Sequence, residues 1–518
     1  MNIAHHHSWK QSLRAFLKPQ VMTMLFLGFS AGIPILLIFS SLGLWLREAG
    51  VERSVVTYFS WAALGYSFKF VWAPLVDKLP IPFLTRWLGR RRAWILLSQI
   101  MIMVAIGLMA SIDPATGALT AMAGGAVLLG FSSATQDIVI DAYRIESAES
   151  DLQAFMSSTY IVGYRIGMLV AGAGALYLAD YLGTSKESYL YDAWKWTYLV
   201  IASVMLIGVM TTLIISEPDT QGKDNFPYSP LDYLRFVGLF ILAVLGFILS
   251  FYYSSDLAQT LKNNLMVMGV NANFLGFLVE FCRLLLAIMI ASIIAILLVS
   301  MGFVKKEMAV QSYIAPVQDF FQRYGWSLAL LLLALIGLYR ISDIVLGVIS
   351  NVFYQDMGFN KTEIASVGLV FGVIMTIIGS FLGGLLTFRF GVMKILFLGA
   401  LLSALTNLLF MLLAQAGHDI VMLYIVIAAD NLSGGLAVAA FIAFLSSLIN
   451  VSFTAMQYAI FSSLMTLLPK ILGGYSGTMV DTMGYSNFFL ITALMGVPVL
   501  ILIIWAGKHF ELNKVVIK

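Results

Sequence analysis

Cysteine is almost absent from this chain. Cys282 is the only one in 518 residues, which excludes an intrachain disulfide and any cysteine-based metal cluster. Charge is scarce as well: 11% of the residues are Asp, Glu, Lys or Arg, less than half the share of an ordinary soluble domain, so that class is excluded. The formal net charge is only +3, and the basic residues are dispersed, so nothing calls for nucleic acid. Of five histidines, His5, His6 and His7 lie in a polar N-terminal stretch that reads as a tail or an expression remnant rather than a metal site. His418 and His509 join no metal or catalytic motif. A Walker-type loop, an Asp-rich metal motif and a filter-like loop are all missing, which argues against a membrane transferase and a channel, and no cofactor is expected. The first apolar run is too long for a cleavable signal peptide and lacks a small-residue cleavage site, so none is expected.

What is present is hydrophobicity. Apolar residues make up 60% of the chain, and runs of about 20 residues or more, enough to cross a bilayer, occur near 21–46, 54–77, 93–112, 118–142, 153–180, 194–216, 231–254, 274–302, 326–352, 362–388, 392–415, 420–449, 453–480 and 485–507. The expected fold is therefore an all-α polytopic membrane protein of fourteen helices, because barrel strands would alternate instead of running uninterrupted. With the N-terminus in the cytoplasm, nineteen of the 30 Lys and Arg fall in cytoplasmic loops and tails or, for Arg235 and Lys394, in the first residues of a span on that side. The segment 78-KLPIPFLTRWLGRRRAW-94 is the strongest vote, so both termini are expected inside.

A weak repeat organises the spans. The stretch 45-WLREAGVERS-54 matches 353-FYQDMGFNKT-362 in its aromatic, charged and glycine pattern, and 172-GAGALYLADYLG-183 matches 473-GGYSGTMVDTMG-484. This predicts a tail at 1–20, a six-helix bundle at 21–216, a linker at 217–325 carrying two inserted helices (231–302), a second six-helix bundle at 326–507 and a tail at 508–518. Duplication of this kind marks secondary transporters that rock two bundles about a central site.

Asp77 followed by Gly89, Arg90, Arg91 and Arg92 resembles the cytoplasmic motif of the major facilitator superfamily, Gly-X-X-X-Asp-(Arg/Lys)-X-Gly-(Arg/Lys)-(Arg/Lys), stretched by the insertion 79-LPIPFLTRWL-88. A carboxylate at one helix end facing arginines on the next would make a latch favouring one transport state. Topology alone would explain the arginines but not the acid. The second-half counterpart, 383-GGLLTFRFGVMK-394, has no acid, so any latch is asymmetric.

A charge at mid-bilayer costs about 2.5–3.5 kcal/mol on insertion scales and needs a partner or a wet cavity. Lys69, Asp137, Asp141, Arg165, Glu280, Arg283, Arg340, Asp343, Asp430 and Lys470 all fall in spans. Glu280 and Arg283, three apart on an inserted helix, read as a self-neutralising pair. Arg340 and Asp343 share that spacing but sit on the first helix of the second half, where a self-satisfied pair and a cavity-lining role are both open. Asp430 begins 430-DNLSGG-435, where a carboxylate, the Asn431 amide, a hydroxyl and two glycines occur together. Small residues there let helices approach closely or open the backbone to a ligand; helix packing by Ser433, Gly434 and Gly435 would leave Asp430 unexplained.

The run 130-GFSSATQDIVIDAYRIE-146 is the most informative. Asp137, Asp141 and Arg144, at i, i+4 and i+7, share one helix face with Ser133 and lie close to Gln136. Two carboxylates so placed cannot both stay ionised cheaply, so one is expected to hold a proton available for coupling, with Arg144, Lys69 or Arg165 balancing the ionised form. The competing reading places Asp141 and Arg144 at the membrane surface as a helix cap.

The phrases 28-GFSAGIPILL-37, 44-LWLREAGV-51, 69-KFVWAPLVD-77, 90-RRRAW-94 and 133-SATQDIVIDAYRIE-146 resemble the AmpG-type muropeptide permeases of the major facilitator superfamily, closely through the first 180 residues and more loosely beyond. The Gln-Asp-Ile-Val-X-Asp-Ala run is shared in softened form by acetyl-CoA transporters. The resemblance implies a monomeric bacterial inner-membrane permease that imports anhydromuropeptides, GlcNAc-anhydroMurNAc with or without peptide, by proton symport for peptidoglycan recycling, with consequences for β-lactamase induction in some bacteria. Another substrate on the same fold, such as acetyl-CoA, a drug or a sugar, is the alternative. A sugar-peptide site needs aromatic faces, hydrogen-bonding groups and cations. Tyr66, Trp61, Trp72, Tyr160, Tyr164 and Tyr339 are candidate faces, with Lys69, Arg165 and Arg340 as carboxylate partners, although aromatics in spans more often pack or face lipid.

Overall fold

The computed structural model describes residues 14–51, 56, 59, 65–185, 188–218, 228–266, 272–360, 363–473 and 476–516. His5, His6, His7 and Trp61 lie outside them. Thirteen helices among the described residues are long and apolar enough to cross a membrane. The further span expected at 54–77 falls in part on residues outside the described set, and its continuous described part runs from Gly65 to Lys78. The chain divides into two compact units, the larger from Met1–Val76, Pro80–Gln221 and Phe320–Lys518, the smaller from Asp77–Leu79 and Gly222–Asp319.

In the first half of the larger unit, α1 (Pro19–Glu48), the short α2 (Ala73–Lys78), α3 (Arg90–Ala110), α4 (Leu119–Glu146), α5 (Leu152–Tyr181) and α6 (Tyr191–Ile214) form a bundle. Its tightest seam joins α1 to α5, and its cause is legible in two Gly-x-x-x-Gly runs. A Cβ on Gly28 or Gly32 would lie 2.2 or 2.0 Å from the carbonyl oxygen of Tyr160 or Tyr164, and one on Gly163 or Gly167 would lie 2.0 or 2.2 Å from that of Leu25 or Phe29. Helices lacking a mutual hydrophobic drive in lipid associate through such close backbone approach. The seam fixes the height and rotation of α5, and with them Tyr160, Tyr164 and Arg165.

The smaller unit holds α7 (Pro230–Tyr253) and α8 (Ala272–Ser300), which pack together. A capping box between Ser229 and Asp232 starts α7, and Lys305 Nζ lies 2.8 Å from Asp232. Leu234, Ile248, Ile296 and Leu297 project outward, as suits a surface that lipid can cover. Arg283 donates to the Phe251 carbonyl at 2.6 Å and lies over that ring at 4.2 Å. The side chain of its expected partner, Glu280, lies outside the described set.

The second half of the larger unit comprises α9 (Ala315–Leu338), α10 (Ile341–Asp356), α11 (Gly372–Phe390), α12 (Val392–Ala416), α13 (Ile420–Ser447), α14 (Thr454–Gly473), α15 (Ser476–Leu494) and α16 (Gly496–Val516). Here α11 and α13 repeat the close approach. A Cβ on Gly379 or Gly435 would stand 2.1 Å from the Leu432 oxygen or 2.3 Å from that of Thr376. Gly434, by contrast, faces open space.

The run 326–352, read above as one span, is broken. α9 stops at Leu338 and α10 starts at Ile341. No proline marks the break. The Tyr339 hydroxyl donates to the Leu396 carbonyl at 3.1 Å, and its ring stacks on Phe441 at 4.3 Å, which anchors the chain where the helix lapses. In the first half the second span is broken too, Lys69–Val71 forming a 3-10 turn before α2. Each half thus presents a cation, Lys69 or Arg340, at an interrupted helix, the arrangement by which transporters build sites in mid-membrane.

Candidate functional site

Side chains from the two bundles meet toward the end of the molecule that carries Arg90–Arg92, called here the arginine end. α5 packs on α11 and α13, and α14 packs on α4 and on the turn at 65–71. Ser158 donates to the Ser380 carbonyl, and Phe155 lies against Phe388 with ring centroids 4.6 Å apart.

Along this interface runs the cluster of α4. Asp141 is 6% exposed, Arg144 0% and Lys69 6%, so Asp141 and Arg144 do not cap a surface helix end. Asp141 lies 3.3 Å from Arg144 Nη2 and 4.0 Å from Lys69 Nζ, and Tyr458 of the other bundle is an electrostatic neighbour. Asp137 is held more loosely, by the Tyr160 hydroxyl at 3.4 Å, beyond the normal range for O–H···O. Lys69 and Asp141 are its charged neighbours. Of the two acids, Asp137 has the fewer partners for a negative charge.

Arg144 reaches across the interface. Its Nη1 donates to Ser446 at 2.7 Å, Gln153 at 3.1 Å and Ser157 at 3.2 Å, and its guanidinium sits 5.3 Å from the Tyr458 ring centroid. Gln136, on the same helix, turns away and donates to Ser30 at 2.7 Å, tying α4 to α1. Tyr66 donates to Ser133, and Tyr160 and Tyr164 stand with ring centroids 6.1 Å apart. Tyr66 and Tyr160, with Tyr164, are electrostatic neighbours of Asp137. Trp72, by contrast, donates to Thr135 at 3.0 Å and packs on Phe131, and Tyr339 is spent on the α9–α10 break.

The second bundle holds a polar cavity of about 230 Å³, lined in part by Arg340, Asp343, Asn351, Tyr354, Asp430 and Asn431. Arg340 Nη2 lies 2.9 Å from Asp343, which sits in the first turn of α10, where the helix dipole favours a negative charge. Thr406 donates to Asp430 at 3.4 Å, and Thr376 donates to Asn431 at 2.9 Å. Gly434 opens onto the same cavity. A volume of this size is below the usual range for a drug-sized ligand and accommodates a fragment of a larger one. Arg165 of α5 does not line it; its Nη1 lies 3.7 Å from Met168 Sδ, and Arg340 is an electrostatic neighbour. Lys470 of α14 lies 3.2 Å from Ser67.

At the arginine end, Arg91 makes a two-pronged pair with Glu146, Nε at 2.8 Å and Nη2 at 2.7 Å, and Arg90 lies 3.8 Å from the same carboxylate. Glu217 accepts the backbone N–H groups of Arg91 at 2.7 Å and Arg92 at 3.0 Å, and the Arg92 side chain donates to the Thr212 and Leu213 carbonyls. Asp77 is buried at the end of α2. Sequence reasoning missed Glu146, Glu217, Ser446 and Tyr458. Glu146 closes the very run quoted for Asp137 and was open to inspection, whereas Ser446 and Tyr458 carry no local signal.

A family model described as Major Facilitator Superfamily matches residues 21–353. The chain is 28% identical over 507 residues to the anhydromuropeptide permease of Escherichia coli strain K12, covering 98% of this chain and 83% of that one. It is 29% identical over 480 residues to a Rickettsia conorii protein named AmpG 4, covering 92% and 94%. Its fold is similar to the crystal structure of the transporter FucP, with TM-score 0.59 and 13% identity over 95% of this chain and 99% of that one. A two-bundle helical architecture and a family match over more than half the chain lead to one conclusion: this multi-pass membrane protein is a transporter belonging to the Major Facilitator Superfamily.

Proposed function

We propose that the chain is a permease of the bacterial inner membrane, with both termini cytoplasmic, which imports anhydromuropeptides by proton symport for peptidoglycan recycling. The observation that carries the substrate is the likeness to the Escherichia coli permease along nearly the whole chain. Coupling is supported by the cluster of Asp137, Lys69, Asp141 and Arg144, where one acid has two close cations and the other has neither within pairing distance.

In this reading the arginine end faces the cytoplasm and is closed by Arg144 and the α5–α11 seam. Substrate comes in from the periplasm to Arg340, Asp343, Asp430 and Asn431, with Tyr160 and Tyr164 as aromatic faces. Asp137 takes the proton, its charge being the less compensated, and Lys69 is released toward Asp141. With Lys69 sharing Asp141, Arg144 keeps its ion pair but holds its neutral partners across the interface less firmly, and the bundles rock. Arg90–Arg92 act as a latch on the cytoplasmic side, held by Glu146 and Glu217.

Uptake by proteoliposomes tests this directly. Labelled GlcNAc-anhydroMurNAc-tripeptide should accumulate when the outside is acidified and should be displaced by unlabelled muropeptide, not by acetyl-CoA or free hexose. No uptake of muropeptide, with gradient-driven uptake of labelled acetyl-CoA or hexose in its place, would replace the substrate.

A further inference from the structure

The charged residues that line the polar cavity of the second bundle are Arg340, Asp343 and Asp430, two acids to one base. The base is already taken, because Arg340 Nη2 lies 2.9 Å from Asp343 and the two neutralise each other. Asp430 has no such partner. Among the described residues no Lys, Arg or His stands within ion-pair distance of its carboxylate, whose recorded contact is the Thr406 hydroxyl at 3.4 Å, beyond the normal range for O–H···O. An acid inside a span is balanced by a proton of its own or by a cation that comes to it.

The surroundings of Asp430 favour a visiting cation. Gly434, one turn along α13 on the same face, lines the cavity and would present an added Cβ to open space, so there is room beside the carboxylate. Asn351 and Tyr354 of α10 line the same space, and neither side chain makes a hydrogen bond among the described residues. A primary ammonium brings one positive charge and three N–H donors. Asp430, the Asn351 amide oxygen and the Tyr354 hydroxyl offer one negative charge and three acceptors. The volume of about 230 Å³ is small for a disaccharide and takes an aminoalkyl arm.

We propose that this cavity is a subsite for a primary ammonium group of the transported molecule, with Asp430 as its counter-ion and the Arg340–Asp343 pair as a neutral wall. Its cargo rests on the muropeptide reading, while the ammonium site rests on the cavity. Both nitrogens of GlcNAc-anhydroMurNAc are acetylated and uncharged, so the group belongs to the peptide arm. The subsite therefore favours cargo whose peptide carries a free amine over the bare disaccharide.

The two questions are tested apart, on the full chain in detergent at neutral pH. Gly434→Lys tethers an ammonium in the cavity without any cargo, four residues after Asp430, the favourable order for an acid and a base on one helix. It should unfold at a higher temperature than Gly434→Met, which fills the same space without charge, and adding Asp430→Asn should abolish the difference. Equal unfolding temperatures would overturn the ammonium site, because an Asp430 that keeps its own proton gives the tethered group no charge to pair with. The second arm uses the parent protein and two synthetic cargoes, GlcNAc-anhydroMurNAc-Ala-Glu-Lys and the same compound with its lysine amine acetylated. The free amine should bind roughly tenfold or more tightly, the usual worth of a charge-assisted hydrogen bond, and the preference should disappear in Asp430→Asn. Equal binding to the parent would overturn the use of the site by this cargo. If neither compound binds, the muropeptide reading falls, and the Gly434→Lys comparison still decides whether the cavity holds an ammonium.

Discussion

Arg144 of the first bundle donates to Ser446 of the second at 2.7 Å, with its guanidinium wholly buried. Its charge partner, Asp141, lies on its own helix, so its partners across the interface are neutral. Parting the bundles at this end costs hydrogen bonds and a cation–π contact but leaves the ion pair whole, which lets a charged residue serve a moving interface. Ser446→Ala should weaken closure by about 1.5–3 kcal/mol, the range for hydrogen bonds to charged groups, and distance measurements across the arginine end should show more of the parted form. Arg144→Gln should be more severe. It leaves Asp141 with Lys69 at 4.0 Å, and thermal unfolding in detergent should show a loss of about 3–5 kcal/mol.

The α1–α5 seam predicts an ordered series. Gly32→Ala or Gly163→Ala would place a carbon 2.0 Å from a carbonyl oxygen, and the forced separation should cost about 1–3 kcal/mol. Gly434→Ala, facing open space, should be neutral or slightly stabilising through helix propensity. Unfolding temperatures of the three variants check the order, and equal values would contradict the packing account.

Gly89 stands at φ 88° and ψ 175°, a region open almost only to glycine. An added Cβ would also meet the Glu217 carboxylate at 2.5 Å. Gly89→Ala should therefore cost about 1–3 kcal/mol in backbone strain and dislodge Glu217 from the N–H groups of Arg91 and Arg92. Glu146→Gln should cost about 3–5 kcal/mol, because Arg91 is 1% exposed and loses its carboxylate. Both are read by thermal unfolding and by uptake rate.

The spans were legible because lipid leaves a chain little choice: each crossing needs a long apolar run, and each charge within one stands out. The acids Asp137, Asp141 and Asp430 were found in that way. Helical spacing also put Asp141 and Arg144 on one face, and they do pair. Partners supplied by distant helices were not legible. Ser446 lies 302 positions from Arg144 and carries no local signal; Glu146 stood in the quoted run, but no spacing pairs it with Arg91, 55 positions away. The α9–α10 break was hidden for a related reason. Tyr339 holds it by bonding to the Leu396 carbonyl on α12, a tertiary cause without proline at the break. In 430-DNLSGG-435 the small residues could serve close packing or open the backbone to a ligand, and the pattern did not say which does which: Gly435 packs, and Gly434 lines the cavity.

The central claim is that the acids of α4 couple proton movement to transport, with Asp137 as the site that takes the proton. Uptake of labelled GlcNAc-anhydroMurNAc-tripeptide into acid-outside proteoliposomes, compared between the parent, Asp137→Asn and Asp141→Asn, tests it most directly. The account predicts gradient-driven uptake in the parent, and in Asp137→Asn its loss with substrate binding retained. Asp141→Asn should lose uptake too, and stability as well, since Arg144 is then left buried without a carboxylate. Gradient-driven uptake that survives both substitutions would contradict the account and move coupling to the second bundle, to Asp343 or Asp430.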